Sequence, residues 1–234
     1  MQSSLSIEPV LGIPVIKPGD DLANILVSVL RRNSVKLADN DIVCLASKVV
    51  SIAENRYVSL EKIQPSDEAI KLHEKIQRKD PRVLQLILDE AGNNLTDIHI
   101  SDQWIGARIK IGRILTSAGI DKVDENTVLL LPVDPGSSAK RLANALAEAF
   151  GVRVGAIITD SDGREDVAGA TQVCIGTYGV PPIRNQNDTE ETVCDMLAAA
   201  AGLVMGQRGN NIPAVVIRGL DYKFNETAHL AEAY

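Results

Sequence analysis

The chain carries the stretch Gly155-Ala-Ile-Ile-Thr-Asp-Ser-Asp-Gly-Arg164, and its apolar first half predicts a buried β-strand. The run turns polar at Thr159, so we expect the strand to end there and to present Asp160 and Ser161 at the edge of a sheet. Open α/β sheets bind ligands at such edges, and carboxylate and hydroxyl oxygens suit Mg²⁺ or Mn²⁺ carrying a phosphate. The alternative is that Ser161-Asp162-Gly163 is only a turn, which these residue types also favour.

The other apolar runs occur in mixed rather than alternating order, which predicts an α+β (mixed α/β) protein with mixed sheets and flanking helices. Strands are predicted at residues 5–10, 42–46, 127–133, 172–175 and 214–217, with two more between 98 and 116 around Asp102-Gln103. Helices are predicted from Asp20 or Asp21 to Arg32, from Asp67, from Pro81 to Gly92, up to a stop at Gly151, and over residues 189–205. Asp188 and Glu191 have the spacing of a capping box for that last helix.

Composition limits the classes of partner. A formal charge of −7 over 234 residues argues against sequence-independent binding of nucleic acid, which relies on Lys and Arg. The three cysteines form no C-x-x-C pair, so neither a disulfide framework nor a zinc site is expected. No apolar run approaches the roughly 20 residues of a membrane span, and the first residues lack the pattern of a signal peptide. We therefore expect a cytoplasmic protein with no nucleic-acid or membrane partner.

Polar clusters follow apolar strands or lie in glycine-containing loops at four places: Ser47-Lys48, the loop before Asp121, Asp160-Ser161, and residues 205–212. Lys48 offers a point charge for a phosphate, and Asp121 and Asp160 offer carboxylates for divalent cations that bridge phosphate oxygens. The loop at 205–212 lacks the G-x-x-x-x-G-K-[ST] pattern of a Walker A loop. These residues alone indicate a candidate metal–phosphate site.

Six short motifs also occur in order along the chain. They are Gly12-Ile-Pro-Val-Ile16, Ser47-Lys-Val-Val-Ser51 followed by Ala53-Glu54, Ala118-Gly-Ile-Asp121, Leu129-Leu-Leu-Pro-Val-Asp-Pro135, Val154-Gly-Ala-Ile-Ile-Thr-Asp-Ser161 and Pro213-Ala-Val-Val-Ile-Arg-Gly-Leu220. Each motif is weak alone, but the ordered series resembles the coenzyme F420-0:L-glutamate ligase family. The resemblance implies one ligase-like domain over residues 1–234, with a subregion around 55–116 that carries none of the motifs.

The resemblance further implies a GTP-dependent (or ATP-dependent) and metal-dependent γ-glutamyl ligase, which joins L-glutamate to a deazaflavin carboxylate through an acyl phosphate. It also implies an intertwined homodimer and two Mg²⁺ or Mn²⁺ ions. The residues implied to contact the nucleotide are Ile13, Pro14, Val15, Ile16, Ser47, Lys48, Gly206, Arg208 and Gly209. Asp121 and Asp160 would hold one ion, and Ser161 and Gln207 would contribute to the second. Arg164 is our candidate for a carboxylate or phosphate clamp, with capping of the Asp162-Gly163 turn as its alternative role.

Three departures from the family pattern keep other interpretations open. Ile52 replaces a lysine that would contact the nucleotide, Glu165-Asp166 replaces basic residues, and the segment 179–192 is shorter than expected by about ten residues. The chain could therefore be a paralogue with another acceptor, such as a folate-type γ-glutamyl ligase. It could also be a catalytically silent nucleotide- or metabolite-binding protein. A structural or interaction module, in which Asp121 and Asp160 serve only turns, is the third interpretation.

Overall fold

A computed structural model describes residues 4–101, 103–207 and 209–234, and it shows a mixed α/β fold with several sheets. Two residues with sequence predictions, Asp102 and Arg208, lie outside the described residues. The chain divides into two compact units. The first comprises residues up to Asn55 together with Pro132–Ser161 and Thr171–Ala233, and the second comprises Arg56–Leu131, Asp162–Ala170 and the terminal Tyr234.

The strands are β1 (Ser6–Pro9), β2 (Ile42–Ala46), β3 (Tyr57–Ser59), β4 (Ile98–Ile100), β5 (Ile105–Arg108), β6 (Ile114–Thr116), β7 (Asp121–Lys122), β8 (Thr127–Leu129), β9 (Gly155–Arg164), β10 (Val167–Tyr178), β11 (Ile183–Gln186), β12 (Thr189–Thr192) and β13 (Ala214–Arg218). The α-helices are α1 (Leu22–Arg32), α2 (Ser47–Ala53), α3 (Asp67–Lys75), α4 (Pro81–Glu90), α5 (Pro135–Phe150) and α6 (Val193–Met205). Across the described part of the chain, no helix combines the length and the apolar character that crossing a membrane requires.

The first unit is built on a five-stranded sheet with the order β1-β13-β2-β9-β10. Strands β2 and β9 pair in parallel, from Ile42 opposite Gly155 to Ala46 opposite Thr159. Strand β13 is antiparallel to both of its neighbours, β1 and β2. These pairings bring four segments to the same end of the strands, which is called the sheet edge below. They are the carboxyl ends of β1 and β2, the residues of β9 that follow Thr159, and the beginning of β13.

Helices cover both faces of this sheet. Ile157 and Ile158 are neighbours on β9 and therefore point to opposite faces, and both are 0% exposed. Helix α6 contacts β1, β2 and β13, while α1 and α5 contact each other. Helix α5 begins directly after Asp134, whose side chain caps it. It stops at Gly151, which adopts the left-handed conformation, and this stop is the one that the sequence predicts.

The second unit contains two three-stranded sheets, β3-β8-β7 and β4-β5-β6. Helices α3 and α4 pack against each other, and Asp80 caps α4 ahead of the predicted first-turn proline, Pro81. Leu60, Leu86, Val128 and Leu130 form a buried apolar cluster in this unit.

Strand β9 is longer than the sequence predicts. It continues through Arg164, and the turn falls at residues 165–166 instead of at Ser161-Asp162-Gly163. The interpretation of residues 161–163 as a turn is therefore wrong, as is the capping role considered for Arg164. The reason is that β10 lies beside β9, so the backbone keeps extended pairing even where the side chains are polar, and Asp162 accepts a hydrogen bond from the Thr116 backbone N–H at 2.9 Å.

The predicted start of the last long helix is also wrong. Residues 189–192 form β12, which pairs with β11 in a hairpin, and α6 begins only at Val193. Asn187 and Asp188 both have positive φ angles, of 52° and 59°, which is typical of a two-residue hairpin turn. Glu191 accepts hydrogen bonds from the Arg184 guanidinium at 2.8 Å and 2.5 Å instead of serving a capping box.

Three smaller differences concern the length and number of the predicted strands and one helix that was not predicted. The strand predicted for residues 127–133 ends at Leu129. Three strands, β4, β5 and β6, replace the two predicted between residues 98 and 116. Helix α2 follows β2 without a connecting loop, and no helix was predicted there.

Candidate active site

Ser47 and Asp160 meet at the edge of the five-stranded sheet. Ser47 is the first residue of α2 and is 4% exposed, and its Oγ–H donates a hydrogen bond to Asp160 Oδ1 at 2.5 Å. The backbone explains the contact, because Ala46 and Thr159 are paired in the parallel β2–β9 ladder and the next residue of each strand therefore lies alongside. Two residues 113 positions apart in the chain are thus held together by the sheet register.

Two further predicted segments are anchored at the same edge. The segment Ile13–Ile16 lies between two anchor points, since Val10 N–H donates to Ala214 O at 2.9 Å and Gly19 N–H donates to Ala53 O at 2.9 Å. The loop that follows α6 leads into Pro213, whose carbonyl accepts a hydrogen bond from Ala46 N–H at 2.8 Å. The segment before α1 and the loop after α6 are therefore each joined by a backbone hydrogen bond to the strand ends beside Ser47 and Asp160.

Within the segment Ile13–Ile16, the exposure of the side chains differs sharply between neighbouring residues. Val15 is 86% exposed and Ile16 is 7% exposed, while Ile13 is half-buried and Pro14 is exposed. The segment has no regular secondary structure. A buried anchor next to an exposed apolar side chain gives a loop that is fixed in position but still presents surface to a ligand.

The loop after α6 depends on a glycine. Gly206 has φ +67° and ψ 178°, a conformation that is essentially confined to glycine. A Cβ atom at Gly206 would lie 2.3 Å from Asn210 Nδ2. Gln207 and Gly209 are both exposed in this loop, which gives it the accessible backbone that a phosphate-binding loop needs.

The two faces of β9 separate the predicted metal ligands. Thr159 Oγ1 lies 3.9 Å from Met205 Sδ, so Thr159 faces α6, and the alternation of a strand places Ser161 on that same face. Asp160 points to the opposite face, where it meets Ser47. Ser161 therefore lies on the side of the sheet from which Gln207 emerges, two residues after Met205, whereas Asp160 belongs with α2.

The donor chemistry at this edge fits a magnesium-type ion. Among residues 4–101, 103–207 and 209–234, no three or more His, Cys, Asp and Glu side chains form a group that could hold a metal. An ion at Asp160 would therefore depend on few carboxylates and on hydroxyl, amide and phosphate oxygens. Mg²⁺ is usually bound in that way, by one or two carboxylates together with substrate phosphates and water.

Two predicted site residues belong to the second unit. Asp121 is half-buried as the first residue of β7, where it is paired with Leu129. The residues before it, Ser117, Ala118 and Gly119, all have positive φ angles, of 53°, 55° and 71°. Arg164 is exposed at the end of β9. The roles assigned to Asp121 and Arg164 from the sequence stay predictions.

Glu54 supports the candidate site, although no role was predicted for it from the sequence. Its carboxylate accepts hydrogen bonds from Ser138 Oγ at 2.6 Å, from Arg141 Nη2 at 3.1 Å and from the Val133 backbone N–H at 3.0 Å. These contacts connect the end of α2 with the beginning of α5. Glu54 is part of a motif that carries the family resemblance, but its partners lie 79 to 87 positions away, so no local signal reveals the connection.

The cysteines provide no nucleophile. Cys44, Cys174 and Cys194 are free and buried. Burial raises the pKa of the Cys44 thiol, and burial followed by hydrogen bonding to Cys194 raises that of Cys174. Since the thiolate is the reactive form, the chemistry at the sheet edge has to proceed without a cysteine intermediate.

Comparison with known proteins gives consistent matches over most of the chain. The model of the family F420-0:Gamma-glutamyl ligase matches residues 11–219. A relative named coenzyme F420:L-glutamate ligase from Methanothermobacter thermautotrophicus is 37% identical over 228 residues, covering 92% of this chain and 89% of the relative. Relatives with the same name from Archaeoglobus fulgidus and Methanopyrus kandleri are 38% and 37% identical, covering 91% and 93% of this chain and 87% and 88% of the relatives.

Proposed function

This chain belongs to the F420-0:gamma-glutamyl ligase family, and we propose that it joins L-glutamate to coenzyme F420-0 through an amide bond. The observation that carries the proposal is the contact between Ser47 and Asp160 at the sheet edge where the predicted nucleotide segments are anchored. The names of the relatives support the substrate assignment, and they do not favour the folate-type alternative.

The proposed reaction has two steps. A carboxylate is a poor acyl donor, so a carboxylate oxygen of the acceptor first attacks the terminal phosphorus of the nucleotide, and the nucleoside diphosphate leaves. The amine of L-glutamate then attacks the acyl carbon, loses a proton and displaces phosphate. Positioning of the reactants and stabilisation of charge on the phosphoryl group supply most of the catalysis in such transfers, which agrees with the burial of all three cysteines.

We propose GTP as the nucleotide, bound at the edge of the five-stranded sheet. Ile13, Pro14, Val15 and Ile16 would line it, and Lys48 would place a point charge near its phosphates. Gly209 would offer its backbone N–H from the loop after α6, with Arg208 beside it in the sequence. Gly206, whose own N–H donates to Gly202 O at 2.9 Å, would contribute by allowing the turn into that loop. Arg164 is the proposed clamp for a carboxylate or phosphate.

We also propose Mg²⁺ or Mn²⁺ as the cofactor. Asp160 would bind one ion, with Asp121 as the further carboxylate predicted from the sequence, and Ser161 and Gln207 would contribute to a second ion. The ions would offset the negative charge of the phosphates when bound. Ser47 would hold the carboxylate of Asp160 in one orientation, because its hydroxyl donates to Oδ1.

A product assay tests the proposed function. Purified protein is mixed with L-glutamate, Mg²⁺ or Mn²⁺, GTP or ATP, and either F420-0 or a folate acceptor, and the products are analysed by mass spectrometry. We expect a product one glutamyl residue heavier than F420-0, formed together with one phosphate and only in the presence of metal and nucleotide. If only the folate acceptor is glutamylated, the acceptor is a folate and not F420-0. Nucleotide binding without any product would support a catalytically silent protein.

A homodimer is the assembly that we propose from the family resemblance. Helix α6 supports it, because its exposed side carries Met196, which is 50% exposed, and Leu203, which is 86% exposed, and large apolar side chains grouped on one helix favour an interface. Sedimentation velocity should show a dimer for the wild type and a monomer for Leu203→Glu. A monomeric wild type would contradict this assembly. The cytoplasmic location expected from the sequence stays a prediction.

A further inference from the structure

The second unit contains a cavity of about 260 Å³ with a basic rim and an apolar wall. Arg78, Lys79 and Lys122 line it, and this concentration of cations is unusual in a chain with a formal charge of −7. The apolar wall includes Leu60 and Val128, which belong to the buried cluster of this unit. A ligand that fits this lining carries negative charge at one side and hydrocarbon at the other.

Lys79 is held rigidly at this cavity. Its backbone N–H donates to Ile76 O at 3.0 Å, its carbonyl oxygen lies 2.8 Å from His73 Nδ1, and its ammonium donates to Ser117 Oγ at 2.7 Å. A charged side chain fixed at its backbone and at its tip is ready to bind an anion with little loss of conformational entropy.

The surroundings of Lys79 disfavour its positive charge. The pKa of Lys79 is lowered, first by burial and then by the neighbouring charge of Arg78. Of the two acidic residues at the cavity, Asp80 is engaged by Arg82 through hydrogen bonds at 2.6 Å and 3.0 Å, and Glu125 is exposed. An anionic ligand would therefore relieve an unfavourable charge.

The cavity adjoins the segment that carries Asp121. Ile120 and Lys122 line it on either side of Asp121, whose side chain points to the other face of β7. Strand β7 is an edge strand of its three-stranded sheet. The Lys79–Ser117 hydrogen bond also connects the cavity to the left-handed turn that precedes Asp121.

We propose that this cavity binds the two carboxylates of the incoming L-glutamate, an inference that rests on the proposed function. Lys79 holds one carboxylate, and Arg78 and Lys122 at the rim hold the other. The methylene groups lie against Leu60 and Val128. An amino acid with an apolar side chain would leave one side of this basic rim without its carboxylate, and that loss gives the selectivity for a dicarboxylic amino acid.

Steady-state kinetics and calorimetry test the site. Lys79→Met, Arg78→Met and Lys122→Met should each raise the KM for L-glutamate by about tenfold or more, the size expected for a lost charge-assisted hydrogen bond. The KM values for GTP and F420-0 should stay unchanged. Lys79→Arg should recover part of the loss, and Lys75→Met is the matched control, since Lys75 is an exposed lysine of the same unit that does not line the cavity.

The outcomes separate the site from the proposed function. An unchanged KM for L-glutamate in all three variants would overturn the site, while a wild type that forms no glutamylated product overturns the function instead. In that second case calorimetric titration of L-glutamate into the wild type and into Arg78→Met still decides the site: binding that is lost in the variant supports it, and equal or absent binding rejects it. Arg78 and Lys122 are exposed, so their variants remain informative even if Lys79→Met fails to fold.

Discussion

The hydroxyl of Ser47 controls how Asp160 presents its carboxylate. A buried Ser47 Oγ–H donor at 2.5 Å fixes Oδ1, and hydrogen bonds to ionised groups are the stronger ones in proteins. In the proposed site Ser47 is therefore a positioning residue, which acts on the metal through Asp160.

Ser47→Ala should weaken binding of Mn²⁺·GTP by about 10–100-fold, the usual effect of removing a partner that orients a metal ligand. Calorimetric titration measures this dissociation constant directly. Ser51→Ala is the matched control, because Ser51 is also buried and lies on the same helix. Equal affinities for Ser47→Ala and the wild type would show that the contact does not serve the metal.

At the level of elements, helix α2 depends on contacts with other elements for its stability. It is only seven residues long, and helices this short are not stable by themselves. Packing of Val50, which is 3% exposed, and the contacts of Glu54 with α5 hold it in place. Ser47 and Lys48 at its beginning therefore depend on Glu54 at its end.

Glu54→Ala should lower the free energy of unfolding by about 1–3 kcal/mol, because it leaves Ser138 and the Val133 N–H without their acceptor. It should also weaken binding of Mn²⁺·GTP. Urea unfolding and calorimetry measure the two effects. Glu54→Gln is the comparison variant. Its single acceptor oxygen can still accept from the Val133 N–H, and its amide N–H can donate to Ser138 Oγ, which is itself able to accept. The ion pair with the exposed Arg141 is lost, and that pair is worth at most about 1 kcal/mol. Similar losses for both variants would contradict this account.

The beginning of α5 gives a prediction about pH. Asp134 caps this helix, and hydrogen bonds from the Ser137 side chain and backbone lower its pKa from the ordinary value of 3.8. Because the folded pKa lies below the unfolded one, the carboxylate stabilises the protein above pH 3.8, and this contribution is lost as the pH falls through the folded pKa.

Asp134→Ala should therefore cost about 1 kcal/mol of unfolding free energy at neutral pH, the typical value of a helix cap. Asp134→Asn keeps a capping oxygen and should cost less. The difference between the wild type and Asp134→Asn should shrink when urea unfolding is repeated well below pH 3.8. A difference that stays constant over this range would show that the charge of Asp134 has no part in capping.

The sequence predicted the buried elements well and the polar ones poorly. Strand β2 has its predicted bounds because a strand covered on both faces is a continuous apolar run. The β11–β12 hairpin was missed because Thr, Glu and Asp residues fit a helix start as well as an exposed strand. Extended pairing beyond Thr159 was missed because it comes from the neighbouring strand β10 and not from the residues themselves.

At the scale of the whole molecule, the candidate site depends on contacts that are distant in sequence. The strand ends were predictable, so Asp160 and Ser47 could be selected as candidates from the chain alone. Their hydrogen bond was not, because it requires the parallel register of β2 and β9 across 113 positions. The same limit applies to Glu54 and to the basic cavity of the second unit, whose lining comes from separate elements.

The most direct test of the account is the dissociation constant of Mn²⁺·GTP for Asp160→Asn compared with the wild type. The amide keeps the shape of the side chain and an acceptor for Ser47, but it removes the negative charge that would bind the proposed ion. We predict that affinity falls by more than about 100-fold, since even partners of a ligand contribute 10–100-fold, while the urea midpoint stays close to that of the wild type. Affinity equal to the wild type in a folded variant would contradict the metal–nucleotide site at this sheet edge.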